Sequence, residues 1–401
     1  MKETITIYGL NHQGEGIGKC SGKVLFVRGA LPEELVTVQI TKENKKFLEG
    51  KLLEIITPSS KRVASPCPYF PICGGCDLQH LSYLDQLQYK EEKVKDLVLK
   101  YGHLDPTLVK PIVANHHPLY YRNKATFQVK EKIGYYGKKN YDIIPIDQCL
   151  IVDSRMNEVL KQLRKFSLDG INQIMVRVSK KEILVQLFGS SKQDFSSLGS
   201  LVSTCLLNET LLFGTGVITE FLGPYMFMIS PASFFQINTK GAELLYNLVK
   251  EQLLCQPQDV ILDLYCGTGT IGIYLCKEVK QVFGVELNQS AVQDANLNKK
   301  QNHCSNIQFF EGDTGTIVSK KLFQANKVVV DPPRAGLDTK TITYLLNESF
   351  ERIVYVSCDP LTLCRDLNLL KEKYQVVSII PVDMFSQTYH VECVVTLTQH
   401  S

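Results

Sequence analysis

From Asp259 onward, short apolar runs alternate with polar stretches of helical length, a pattern that restricts this part of the chain to a doubly wound parallel sheet. Residues 260–264 form the first expected strand, Tyr265-Cys266-Gly267-Thr268-Gly269-Thr270 a glycine-rich turn, and 271–276 the helix after it. The next strand, 282–285, ends in Glu286. Such a turn lets backbone approach a nucleoside, and an acid after the second strand accepts hydrogen bonds from ribose hydroxyls. Ligands of these sheets bind where the strands end, which makes three more residues candidates. Asp313 follows a strand at 306–310 and is a candidate adenine contact. Asp331 follows the run 328–330, and Pro332 and Pro333 fix a rigid extended turn behind it, so its carboxylate is aimed into the crevice on the cofactor side. Cys358 follows the buried run 353–355, which leaves a thiol at a strand tip.

The chain has 401 residues, 44% of them apolar, and so exceeds one typical core. No apolar run approaches the roughly 20 residues of a membrane span. Met1-Lys2-Glu3-Thr4 lacks a secretory pattern, so a cytoplasmic protein without membrane attachment is expected. Its 13 cysteines then serve metal, catalysis or core packing rather than a disulfide framework. Cys67, Cys73 and Cys76 fall in one loop, where prolines prevent a helix and glycines permit the turn angles by which three thiolates converge. Cys149, the next cysteine, is the candidate fourth ligand. Four thiolates suit zinc or an iron-sulfur cluster, and the chemistry alone does not choose. Scattered cysteines, Cys276 and Cys304 among them, read as small core residues.

Residues 1–56 alternate in short strands broken by Gly- and Pro-bearing turns, a small all-β module, and 57–62 reads as a linker. Helical periodicity at Leu84, Leu87, Val94, Leu97 and Val98 marks a helix within 83–101. Strands predominate from 110 to 230 around one helix at 153–166. Charge is uneven, with 29 Lys and Arg against 23 Asp and Glu in residues 1–230 and a slight acidic excess after them. Within the basic part, Arg122, Lys124, Lys130, Lys132, Lys138 and Lys139 interleave with Tyr120, Tyr121, Phe127, Tyr135 and Tyr136. Cations beside stacking platforms suit single-stranded nucleic acid, although a solvated strand face explains the same residues.

Gly14-Glu15-Gly16-Ile17-Gly18 and Gly29-Ala30-Leu31-Pro32 resemble the TRAM domain, an OB-like barrel of RNA-modifying enzymes. The cysteine loop with Asp77-Leu78-Gln79-His80, and Tyr121-Arg122-Asn123-Lys124, resemble elements of the RNA uracil-5-methyltransferases in their iron-sulfur branch. So do Phe234-Phe235-Gln236-Ile237-Asn238, Asp263-Leu264-Tyr265-Cys266-Gly267-Thr268-Gly269, Asp331-Pro332-Pro333-Arg334, Ser357-Cys358-Asp359-Pro360 and His390-Val391-Glu392. The resemblance covers nearly the whole chain. It implies a multidomain protein: an OB-like TRAM barrel (1–56), a linker and cysteine segment (57–109), a central α+β substrate domain (110–230) and a Rossmann-like class I methyltransferase domain (231–401). It further implies that S-adenosylmethionine is held by Gln236, Tyr265 and Glu286, and that Cys67, Cys73, Cys76 and Cys149 hold a [4Fe-4S] cluster.

The chemistry fits these residues. Carbon 5 of a pyrimidine cannot attack a methyl donor unaided, but addition of a thiolate to carbon 6 makes it an enolate-like nucleophile. Cys358 would supply that thiolate. A base must then remove the carbon-5 proton, and the resemblance gives this role to Glu392, whose burial among β-branched residues would raise its proton affinity. The expected activity is methylation of a flipped uridine in 23S ribosomal RNA by a monomer with no obligate protein partner. Three rivals are a transfer-RNA target, a cytosine-5 enzyme and an inactive RNA-binding iron-sulfur protein. The cytosine enzymes place a cysteine after their Pro, and here Pro332-Pro333 is followed by Arg334.

Overall fold

The computed structural model describes residues 2–138 and 142–400 of the 401-residue chain. Lys139, part of the basic tract, lies outside the described residues. In the C-terminal part the alternation closes into one seven-stranded sheet. Its strands are β1 (Val260–Leu264), β2 (Gln281–Glu286), β3 (Ile307–Glu311), β4 (Lys327–Val330), β5 (Arg352–Ser357), β6 (Tyr374–Val382) and β7 (Glu392–Gln399). They lie in the order β3-β2-β1-β4-β5-β7-β6. The first five are parallel, and β7 runs antiparallel between β5 and β6. Val328, Val329 and Val330 are fully buried because helices cover both faces, which is why such strands read as continuous apolar runs.

Register decides what meets at the open edge. Leu264 pairs with Val330, and Val330 with Tyr355, so Tyr265, Asp331 and Cys358 leave the sheet on the same side. Ser357 pairs with Cys393, which sets Glu392, the first residue of the antiparallel strand, at the turn that carries Cys358.

Upstream segments complete this core. The hairpin Ile218–Leu222 and Tyr225–Ile229 packs with helix Thr239–Leu253 against Ile261, Val282, Val354 and Val394. Residues 218–229 therefore bury in the catalytic core, although the sequence groups them with the central segment. Helix Tyr83–Leu97, capped by Ser82, inserts Val94 and Leu97 among Leu363, Leu367 and Ile379. Leu84, counted on its apolar face from the sequence, is instead 78% exposed.

Lys90 of this helix is fully buried against Asp383, whose carboxylate also accepts from the hydroxyls of Tyr83 at 2.7 Å and Ser386 at 2.6 Å. Removing one partner of a buried pair leaves the other charge without compensation and costs about 3–5 kcal/mol. Lys90→Ala should lower unfolding stability by about that amount in urea titration.

The N-terminal strands between Lys2 and Thr57 form a six-stranded sheet around Ile7, Leu25, Val27, Val36 and Val38. The segment after it is no free tether. Glu34 is fully buried and accepts from Leu31 N at 2.8 Å, Ser59 N at 3.2 Å and Arg62 Nη2 at 2.9 Å. Burial alone would raise its carboxyl, but the Arg62 guanidinium and these N–H groups outweigh it and hold the carboxyl below its usual value. The chain entering the cysteine loop is thereby fixed to the barrel.

The central sheet, also seven-stranded, runs from Lys124 to Phe213. Helix Ser154–Leu163 covers one face with Met156, Val159, Leu160 and Leu163, against Phe127, Ile174 and Val176. Alternation leaves Lys124, Thr126 and Gln128 on the other face. No helix among the described residues is long and apolar enough to cross a membrane.

Candidate active site

Cys358 is half-buried, between the end of β5 and helix Pro360–Leu370. Asp359 caps that helix, its carboxylate accepting from Leu361 N at 2.9 Å and Thr362 N at 3.2 Å. Its charge also raises the adjacent thiol, as the smallest of several contributions. Burial first, then the carboxylates of Glu392 and Asp331, push the Cys358 thiol up to about 12, while Arg334 opposes them. Glu392 is 4% exposed, and burial, followed by the Asp331 charge, pushes its carboxyl up to about 8. Desolvation likewise pushes Asp331 up to about 7. The edge thus gathers a protonated thiol, two carboxyls that titrate near neutrality, and the exposed Arg334 as their neighbouring cation.

The loop that bears Asp331 and Arg334 is held from behind by Asp366, a residue the sequence reading passed over. Its buried carboxylate accepts from Tyr355 Oη at 2.7 Å and Leu337 N at 2.8 Å. Gly336 has φ +77, and a Cβ there would stand 2.5 Å from the Asp366 carboxylate. Only glycine lets the loop close this tightly.

On the other side of the edge, Tyr265 takes a left-handed φ of 63° directly after β1, and its hydroxyl donates to Asp338 Oδ2 at 2.9 Å. Glu286 accepts from Gly267 N at 3.0 Å and from Asn288 N at 2.8 Å, which ties the tip of β2 to the glycine-rich turn and leaves lone pairs for ribose hydroxyls. Asp263 was also missed. It is fully buried in β1, with Oδ2 accepting from Gly272 N at 2.9 Å and Oδ1 without a partner. Burial first, then Asp331 and Glu286, push it up to about 8. An acid inside an otherwise apolar strand was the signal available for it.

Gln236 is buried and reaches the Tyr246 hydroxyl, which stands 3.1 Å from Thr270 Oγ1 in the same turn. Asn123 of the central segment donates to the Gln236 carbonyl at 3.1 Å. Gln236, Tyr265 and Glu286 thus surround one glycine-rich turn. Asp313, exposed at the tip of β3, caps the short helix Thr314–Val318 by accepting from Thr316 N at 2.9 Å. His390 is kept neutral, lowered to about 4 by burial first and then by Arg334 and the lysines Lys93 and Lys90.

A family model described as tRNA (Uracil-5-)-methyltransferase matches residues 223–400, and a TRAM domain model matches residues 2–53. A Clostridium tetani protein named as an RNA methyltransferase is 37% identical over 440 residues, covering 98% of this chain and 95% of that protein. A Staphylococcus aureus protein with the same kind of name is 36% identical over 438 residues, covering 98% of this chain and 97% of its own. The chain belongs to the RNA uracil-5-methyltransferase family. It is an S-adenosylmethionine-dependent RNA methyltransferase. The crystal structure of Pyrococcus abyssi tRNA (uracil-54, C5)-methyltransferase, solved with S-adenosyl-L-homocysteine, superposes at a TM-score of 0.84 with 27% identity, covering 98% of this chain and 99% of that one.

The methyltransferase brings its four loop cysteines near this site. Cys67, Cys73, Cys76 and Cys149 line one cavity of about 790 Å³ together with Arg122, Lys124, Arg334 and His390. Among the described residues, no three His, Cys, Asp or Glu side chains gather as a group that could hold a metal ion. Burial raises Cys73 and Cys149 and pushes Cys76 up to about 12. Elsewhere, Cys276 and Cys304, expected as separate core residues, are bonded to each other, because the end of the donor-side helix and the loop before β3 bring their Cα atoms within 6.2 Å.

Proposed function

We propose that this methyltransferase modifies carbon 5 of a uridine in 23S ribosomal RNA, flipped out of its stack, through a bond from Cys358 to carbon 6. The reading is carried by one juxtaposition: a half-buried thiol and a buried, proton-holding carboxyl, Glu392, at the open edge of a donor-binding sheet. Cys358 releases its proton to solvent as its sulfur bonds carbon 6 and the C5–C6 π electrons pass to the carbon-4 oxygen, with Arg334 the neighbouring cation that favours the thiolate. Gln236, Tyr265 and Glu286 would hold S-adenosylmethionine, with Asp313 at the adenine side, and when bound it would supply the methyl group for carbon 5. Asp331 borders both the donor and the thiol. Glu392 takes the carbon-5 proton, the sulfur–carbon bond breaks, and the thiolate leaves. The TRAM barrel and the basic central face would grip the flanking backbone.

In 5-fluorouridine RNA the fluorine cannot leave as a proton, so 23S and transfer-RNA transcripts carrying it, incubated with the methyl donor, should trap a covalent complex that survives denaturing electrophoresis. No complex with either transcript would reject the mechanism. A transfer-RNA uridine is the second reading, favoured by the full-length likeness to the Pyrococcus enzyme. A complex formed with that transcript alone would select it.

Glu392 must be ionised to act as a base, and a raised carboxyl holds its proton below its pKa. Product release should therefore rise about tenfold per pH unit and level off above about 8 in a single-turnover profile. A profile flat from about pH 6 upward would remove Glu392 from that role.

For the four cysteines, which line one cavity, the group we propose is the [4Fe-4S] cluster that the resemblance implies, its irons held by the four thiolates. Anaerobically purified protein should contain iron and sulfide in equal amounts with broad visible absorption. Cys73→Ser should lose most of both, and iron retained by that variant would count against the assignment.

A further inference from the structure

The segment from Asp383 to His390 joins β6 to β7 and so delivers Glu392 to the sheet edge. At its middle, Gln387 is buried and holds a φ of 69°, a left-handed conformation that a side chain of this kind rarely adopts. Such backbone persists only where surrounding contacts over-determine it. Here those contacts come from one distant stretch. The Gln387 carbonyl accepts from Asp77 N at 2.8 Å and Leu78 N at 3.0 Å. The Gln86 side chain closes a reciprocal pair, donating Nε2 to Gln387 Oε1 at 3.1 Å and accepting from Gln387 N at 3.1 Å. Gln86 is itself held by the carbonyls of Leu78 at 3.0 Å and Leu81 at 2.9 Å. Neighbouring positions are braced as well: Tyr121 Oη donates to Ser386 O at 3.0 Å, and Lys93 Nζ to Tyr389 O at 3.0 Å.

We propose that Gln86 and Gln387 are positioning residues for Glu392, and that the stretch following Cys76 serves the reaction by locking the turn that presents the base. The inference rests on Glu392 being the base. Neither glutamine touches the thiol or the donor turn, so the effect should fall on one part of the reaction. Adduct formation needs Cys358 and the donor, whereas elimination needs the Glu392 carboxylate within reach of the carbon-5 proton, and displacement of a reacting group by a fraction of its contact distance slows such a transfer steeply.

The experiment uses the full chain with the transcript it methylates, and measures the rate of covalent adduct formation and the rate of methylated-RNA release separately. Gln86→Leu keeps the side chain's bulk and removes its amide. It should form adduct within about threefold of the wild-type rate and release product about 10–100-fold more slowly, so that methylated adduct accumulates. Gln387→Gly adopts the left-handed φ freely and keeps the carbonyl contacts and the backbone N–H donated to Gln86, but loses the bond that Gln387 Oε1 accepts from Gln86 Nε2. It should show the same split, and it carries the test should Gln86→Leu fail to fold. Equal slowing of both rates would mark a structural role and overturn the proposal. Wild-type release in both variants would overturn it too. Wild-type release that is flat from about pH 6 upward would instead reject the base assignment beneath it.

Discussion

Cys358→Ala should abolish methyl transfer, on the order of 10⁵-fold or more, while leaving donor affinity within about twofold by calorimetry. The size follows from what is lost. Without the sulfur, carbon 5 has no enolate to form, and among the described residues no other side chain at this edge offers a nucleophile. Asp331 and Glu392 are held as acids near neutrality, and Cys393, although adjacent in register, is fully buried in β7. Donor affinity should survive because Gln236, Tyr265 and Glu286, the residues proposed to hold the donor, stand around a different turn, after β1 and β2. Weakened donor binding in the variant would mean that the thiol's turn also supports the donor site.

Glu392→Gln should lower turnover on the order of 10²–10⁴-fold and convert the enzyme into a trap, with methylated RNA accumulating as a covalent complex even on unmodified uridine. Cys358 and the donor site remain, so addition and methyl transfer proceed, and only the exit is closed. Stability should move the other way. Burial raises the folded carboxyl from 4.5 to about 8, so the folded state keeps a proton that the unfolded chain releases. Its contribution is present below the unfolded value and is lost as pH rises to about 8. The glutamine variant lacks this loss and should gain in melting temperature over wild type across that window. Unchanged turnover, or a variant that forms no adduct, would show that Glu392 acts elsewhere in the cycle.

The sheet and its tip residues were legible because each strand is a local apolar run and each candidate lies where one ends. Parallel register then carries Asp331 and Cys358 to one edge without further information. Contacts made by single polar atoms left weaker traces. Asp263 hides among apolar neighbours and Asp366 beside Arg365, and their distant partners are backbone N–H groups or a tyrosine that no spacing announces. Asp313 carries a second role that its position alone did not separate, since an acid past a strand tip also caps a following helix. The linker at 57–62 looked free because the buried carboxylate that fixes it, Glu34, belongs to the preceding barrel. Gln86 and Gln387 are 301 positions apart, and nothing in either neighbourhood points to the other.

The helix Tyr83–Leu97 has a consequence for how the protein is made. Val94 and Leu97 complete their core only with Leu363, Leu367 and Ile379, and Lys90 has no buried counter-charge until Asp383 exists. During synthesis this helix must therefore wait, exposed and carrying an ammonium destined for the interior, until almost the whole chain has left the ribosome. A message cut short would yield no partly active enzyme, only a fragment with an open apolar groove for chaperones and proteases to find.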